Sequence, residues 1–448
     1  MPVVAARACS CTPFSSSPSP STPPRTAPVP NGRSTCSCFT RGTAWSPGCW
    51  SSRPRGSSSA AAERGTSWIW RVMRIARIEL FELALPLVEP FIISGGAVTE
   101  RRSLIVALHD DEGHVGYGES PPFELPFYSA ETLASAIDLT HRVLVPRVAG
   151  RAFASPEVVD ETLRAEIRGN AFARAGVETA AWDLAAHRAG VGMAQLVAGR
   201  LGVAPAASVP CGVALGIPED RQPETLTRQV YDALQLGYRR VKIKIAPGWD
   251  EVAVRAARAG LAGTELPLTV DANGAYRWPE HERALRALDD ARLLFIEQPL
   301  APDELVGHVR LGRELRTPVC LDETLESAAL ARQVMELEGP RVWNVKVHRV
   351  GGLAEVTRIY RIAAEYGAEL WAGTMPASGI GSQADLAVAC LPRCVYPSDL
   401  EPSTRWFGRG VDVIKLTMGK DGRMAVPGVS VARLLDAGRF RSAARLLP

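Results

Sequence analysis

The sequence predicts an α/β protein: a (β/α)8-type barrel of the TIM-like (β/α)7β form, joined to an α+β capping domain. Three observations predict it. Short apolar runs alternate with helical stretches from about residue 205 to 400. Five ionisable residues, Lys244, Asp271, Glu297, Asp322 and Lys346, recur through this region at gaps of 27, 26, 25 and 24 residues, the length of one strand-plus-helix unit. Ahead of them, residues 73–200 run strands first and helices second, the order of an α+β domain.

In chain order, residues 75–85 alternate as a strand and lead through Pro86 to a loop bearing Ser94, Gly95 and Gly96. A second strand, 103–108, turns through Asp110-Asp111-Glu112-Gly113 into a third at 115–118, an antiparallel meander. Helical periodicity follows at 130–144, 156–168 and 171–189, the last stopped by Gly190. The barrel begins with a strand at 208–216 and a helix at 223–236 ended by Gly237. The next five strands are 241–245, 268–270, 293–296, 319–321 and 342–347, with a seventh at 369–373 and a short eighth near Val395. From about Pro402 the alternation is lost, and residues 402–448 are expected to return to the capping domain.

Composition narrows the function classes. Residues 1–72 hold eight Arg, no Lys, one acid and five of the nine cysteines among many Ser and Pro, with no apolar periodicity to specify a core. They are expected to be a disordered or spurious extension ahead of a start at Met73. Their acid-poor, Arg-rich composition also leaves a transit peptide open. The remainder carries 43 basic against 47 acidic side chains, a net of −4, so no basic face for nucleic acid is implied. No run of 18 apolar residues exists to span a membrane. Cys211, Cys320, Cys390 and Cys394 form no C-x-x-C pair, and a cytoplasmic protein without disulfides is expected.

The chemistry follows from where barrel strands end. In such a barrel the carboxyl ends of the strands gather at one face, the usual place of catalysis. Asp271, Glu297 and Asp322 then form an all-oxygen ligand set suited to Mg²⁺, with Mn²⁺ as substitute. A salt-bridge network with the lysines is the metal-free alternative. A divalent ion on a substrate carboxylate makes the adjacent C–H acidic, because the charge released by deprotonation falls on oxygens the metal already holds. The base must be uncharged, and Lys242 beside Lys244, with a nearby metal, is expected to lower the pKa of Lys244. In Val-Lys-Ile-Lys-Ile, period 2 puts Lys242 and Lys244 on one face, which equally describes a half-exposed strand with solvated lysines. Lys346 should face the substrate from the opposite side.

These residues and their neighbours resemble the enolase superfamily. Lys242-Ile-Lys244 with Pro247-Gly248-Trp249-Asp250, Asp271-Ala-Asn273, Ile296-Glu297-Gln298-Pro299, Leu321-Asp322-Glu323 and Asn344-Val-Lys346 carry the likeness. Within it, the Pro-Gly-Trp-Asp run and the segment from Asn170 to Leu184 resemble the o-succinylbenzoate synthase and N-acylamino acid racemase group of the muconate-lactonizing subgroup. The resemblance implies Asp271, Glu297 and Asp322 as Mg²⁺ ligands, Lys244 and Lys346 as the acid/base pair, and Lys242, Asn273, Glu323 and Asn344 as residues that orient them. It implies a lyase of menaquinone biosynthesis acting on a small-molecule carboxylate: Lys244 abstracts the α-proton to give a metal-stabilised enolate and assists loss of water, while Lys346 stabilises the anion. Racemisation of N-acyl (N-succinyl) amino acids, muconate-type cycloisomerisation and a non-catalytic binding protein of the same fold are the alternatives. A homo-oligomer is expected.

One position departs from the group's pattern. Ala377 stands in Thr374-Met375-Pro376-Ala377-Ser378-Gly379-Ile380-Gly381 where the group usually has Glu. The backbone N–H groups of Ser378, Gly379 and Ile380 are expected to offer themselves to a substrate carboxylate, an ordinary loop-to-helix turn being the alternative. The loop at 94–96 and the segment 120–128 are read as closing lids or as plain surface connections.

Overall fold

The computed structural model describes residues 72–93 and 96–448. The expectations for the leader, its cysteines, and Ser94 and Gly95 lie outside the described residues.

The meander forms with longer strands than alternation alone suggests. Strand Met73–Ile93 pairs antiparallel with Gly96–Asp110, which pairs with Val115–Ser120. The register shifts between Pro86 and Phe91, where Pro86 lacks the N–H that a ladder needs. Helix Ala171–Ala189 lies directly on the third strand. A Cβ on Gly116 would stand 2.2 Å from Leu184 N, and one on Gly118 would stand 2.2 Å from Gly176 O, so only glycine on that face admits the helix backbone.

This helix is buried along most of its length, and its acids serve other elements. Asp183 accepts the N–H of Tyr117 and of Val431, and Glu178 accepts those of Leu353 and Ala354, the first residues of helix Leu353–Tyr366. Glu131 does the same for Phe172 and Ala173. Apart from Tyr117, which is on the third strand, these are first-turn donors that a helix leaves open.

Two helices differ from expectation. The stretch expected at 130–144 runs as Leu133–Leu139, then a wide turn at Thr140–Leu144, then Val145–Val148. Pro146 explains this, because its ring excludes the carbonyl four residues back and it has no N–H to bond it. Helix Met193–Leu201, capped by Gly202 in the left-handed region, was not expected.

The second half forms one parallel sheet of seven strands in sequence order: Gly212–Leu215, Arg240–Lys244, Leu268–Asp271, Ile296–Glu297, Val319–Leu321, Val342–Val345 and Glu369–Ala372. The expected eighth strand is a hydrogen-bonded segment. Val395 N–H donates to Leu370 O on the last strand, while Gly212 N–H on the first strand donates to Ser398 O. Helix Gly379–Ala389 after the seventh strand is buried on all sides.

Parts of the C-terminal stretch pair with strands from earlier in the chain. Ala444–Leu446 pairs antiparallel with the first strand of the meander, Phe81 opposite Leu446, and Arg423–Ala425 pairs with Ser208–Pro210. No described helix is long and apolar enough to cross a membrane.

Candidate active site

Register brings the charged residues together. Lys244 is opposite Asp271 and Asp271 is opposite Glu297, in three adjacent strands. One oxygen from each of Asp271, Glu297 and Asp322 lies within 4.8 Å of the others, and all three residues are buried. Lys244 Nζ donates to Asp271 at 2.7 Å and to Asn273 Oδ1 at 2.5 Å. Across the cluster, Lys346 Nζ donates to Asp322 at 2.7 Å. One amine thus meets the first and the other the last of the three carboxylates.

The four residues expected to orient this set, Lys242, Asn273, Glu323 and Asn344, reach it directly or through one another. Lys242 is buried and ion-paired with Asp399 at 2.6 Å, Glu297 at 3.2 Å and Asp271 at 3.4 Å. Burial opposes its charge, but these three acids hold its ammonium well above the ordinary range. It is a fixed cation beside Lys244. Asn344 Nδ2 donates to Glu297 Oε1 at 2.7 Å, in a space that only Gly373 leaves, since a Cβ there would meet Asn344 Oδ1 at 2.1 Å. Asn273, at a φ of 43°, donates its backbone N–H to Asp271 and its amide to Glu323 at 2.8 Å.

The donor set fits a hard divalent cation. Burial first, then the charge of Asp271, push Glu297 up to about 8, although the Lys242 ammonium stands 3.2 Å from its buried Oε2 and offsets part of this. Three buried carboxylate oxygens converging around an under-compensated acid are a Mg²⁺-type ligand group. Asp322 differs: burial would raise it, but Lys346 and Arg349 hold it well below the usual carboxylate range.

Sequence reasoning missed five participants. Arg349, three residues past Lys346, ion-pairs with Asp322. Tyr128 OH lies 3.2 Å from Lys346 Nζ and 3.3 Å from Arg349, and its ring packs with Phe123, Phe172 and Met375. Asp399, with Arg240 at 2.5 Å, anchors Lys242. Gln298, quoted only as part of a motif, is buried at a φ of 38° and its Oε1 accepts the N–H of Asp322 at 2.9 Å and of Thr324 at 3.2 Å. Gln298 had a local signal, its place directly after Glu297, and Tyr128 ends the segment read as a possible lid. The others come from a turn, the eighth-strand segment, the base of the second strand, and the capping half.

The substrate-binding expectation for Ser378, Gly379 and Ile380 is corrected. Ser378 N–H donates to Glu119, Gly379 N–H to Asp412, and Ile380 N–H to the Ser378 hydroxyl. Glu119, from the meander, also takes the Ser378 hydroxyl at 2.6 Å and Gly381 N–H at 2.8 Å. These amides cap their own helix and are spent on internal carboxylates.

Residues 225–430 match the family described as "Enolase C-terminal domain-like", and residues 76–198 match "Mandelate racemase / muconate lactonizing enzyme, N-terminal domain". The N-succinylamino acid racemase of Thermus thermophilus is 42% identical over 362 residues, covering 80% of this chain and 94% of that protein. The chain belongs to the enolase superfamily. This superfamily member is also 36% identical to the o-succinylbenzoate synthase of Bacillus subtilis, over 76% of this chain and 88% of the relative. A solved enolase-superfamily structure from Listeria innocua superposes with a TM-score of 0.77 at 33% identity, covering 83% of this chain and 98% of that one. A chain so placed is an enzyme of this superfamily, as the sequence reading expected.

Proposed function

We propose that this chain is a Mg²⁺-dependent o-succinylbenzoate synthase, with the sheet closing as a (β/α)7β barrel through residues 393–399. Asp271, Glu297 and Asp322 would hold the ion, with Lys242, Asn273, Glu323 and Asn344 orienting them and Mn²⁺ as substitute. When bound, it would polarise the substrate carboxylate and acidify the adjacent C–H.

The observation that carries this reading is the unequal setting of the two amines. The Lys244 side chain is 33% exposed and tethered to one carboxylate and one amide, free to meet a C–H and to release its proton elsewhere. Lys346 is 9% exposed, and although burial opposes its charge, Asp322 keeps its pKa raised. A partly exposed amine opposite a buried, acid-paired cation suits one-base elimination. Lys244 takes the proton α to the carboxylate of a succinyl-substituted hydroxycyclohexadiene. It then returns the proton to the departing hydroxyl, which leaves as water, and aromatisation follows. Lys346 stabilises the negative charge from the opposite side.

N-succinylamino acid racemisation is the second reading, supported by the Thermus relative and by amines on both faces. There both lysines exchange protons. Purified protein with Mg²⁺ should convert the diene to o-succinylbenzoate, followed by absorbance. Epimerisation of N-succinyl amino acids without diene turnover overturns the synthase in favour of the racemase. The synthase reading places the chain in menaquinone synthesis, and a cytoplasmic homo-oligomer is proposed with it.

A further inference from the structure

The segment from Pro121 to Tyr128 runs from the meander to the reaction centre with little backbone pairing of its own. Among the described residues, its backbone–backbone bonds are Phe127 N–H to Leu125 O and Leu133 N–H to Phe123 O, and Leu125 and Phe127 stay exposed. Yet its last residue bears directly on the site: Tyr128 OH accepts from Lys346 Nζ at 3.2 Å and from Arg349 at 3.3 Å.

One side chain anchors this segment. Arg101, on the second strand of the meander, is buried. Its guanidinium donates to the carbonyls of Pro121 and Pro122 in the segment, of Pro376 in the loop after the seventh strand, and of its neighbour Arg102. It also stands over the Phe123 ring, 4.6 Å from the centroid. Phe123 in turn packs with Phe172, Met375 and Tyr128. The meander strand, the segment and the loop after the seventh strand therefore meet at a single guanidinium.

Stability does not explain an arginine here. Burial pulls Arg101 down to about 10, with Glu119 and then Glu124 offsetting part of that penalty, and an apolar side chain of similar length would avoid it. An apolar side chain would leave the carbonyls of Pro121, Pro122 and Pro376 without their donor. They would then have to turn to water, which moves the segment off the loop.

We infer that Arg101 is a positioning residue for the reaction: it holds residues 121–128 against the loop after the seventh strand, so that Tyr128 fixes the Lys346 ammonium. The inference rests on Lys346 taking part in the chemistry, as both readings of the function require.

The test joins amide exchange to a double-mutant cycle. In hydrogen–deuterium exchange read by mass spectrometry, the amides between Phe123 and Tyr128 should exchange about tenfold or more faster in Arg101→Met than in the wild type, with helix Ala171–Ala189 unchanged. Arg101→Met and Tyr128→Phe should each slow α-proton exchange of a succinyl-bearing carboxylate about tenfold. The double variant should be no slower than the slower single variant, because both act through one contact on Lys346. Losses that multiply mean that Arg101 acts elsewhere and overturn the inference, as does amide exchange in the segment that stays at the wild-type rate. Should Arg101→Met not fold, Arg101→Lys, which keeps the charge over Phe123 with fewer donors, takes its place in both measurements. A wild type without α-proton exchange contradicts the proposed function instead, and amide exchange then decides whether Arg101 holds the segment.

Discussion

At the scale of single residues, Gln298 makes a sharp prediction. Its amide fixes the backbone of Asp322 from the neighbouring strand end, so Gln298→Leu should weaken Mg²⁺ binding about 10–100-fold, as loss of such supporting contacts typically does. Calorimetric titration of metal into the apo-protein checks this, and unchanged affinity would remove Gln298 from the positioning set. Lys244, Asp271, Glu297, Asp322 and Lys346 were legible in the sequence because consecutive parallel strands of one sheet put their ends at one level. Tyr128, Arg349 and Asp399 were not assigned to the site, because no periodicity links a capping loop, a turn and an irregular segment to a strand end. The backbone amides at 378–380 were misjudged for a related reason: their partners, Glu119 and Asp412, are far off in sequence.

At the scale of elements, the existence of strands and helices was readable while their limits depended on packing and proline. The meander strands ran longer than their alternation because pairing continued past Pro86, and the helix at 130–144 broke because of Pro146. Gly116 and Gly118 look like weak strand residues in sequence. In the fold they are what lets helix Ala171–Ala189 approach, so Gly116→Ala, with a Cβ 2.2 Å from Leu184 N, should destabilise the protein by about 3 kcal/mol or more. Denaturant titration measures this, and a loss under 1 kcal/mol would mean the helix sits farther away.

Helix Leu305–Glu314 carries a pH dependence. His308 is fully buried, accepts Leu300 N–H on Nε2 and donates from Nδ1 to Glu304 O, a pattern that requires neutral imidazole. Burial accordingly lowers its pKa from 6.5 to about 4. The unfolded chain takes up the proton first, so this contribution to stability is complete above pH 6.5 and is lost as pH falls toward about 4. The loss amounts to roughly 3 kcal/mol. In His308→Asn this part of the pH slope should vanish, and a slope identical to wild type between those limits would contradict the assignment.

At the scale of the whole molecule, a capping half and a parallel-sheet half both supply residues to one site. The capping half supplies Tyr128 over Lys346 and ties its long helix to the other half through Glu178, whose carboxylate starts helix Leu353–Tyr366. The overall class was readable from the order of the elements. The eighth strand expected near Val395 is instead an irregular segment, whose backbone bonds Leu370 on one edge strand and Gly212 on the other. The most direct test is α-proton exchange of a succinyl-bearing carboxylate in D₂O, followed by proton NMR. Exchange should require added Mg²⁺ and should fall about 10²–10⁴-fold in Lys244→Ala, the span expected for loss of a general base. Exchange that persists after metal removal, or in Lys244→Ala, would contradict a lysine base working at a metal held by Asp271, Glu297 and Asp322.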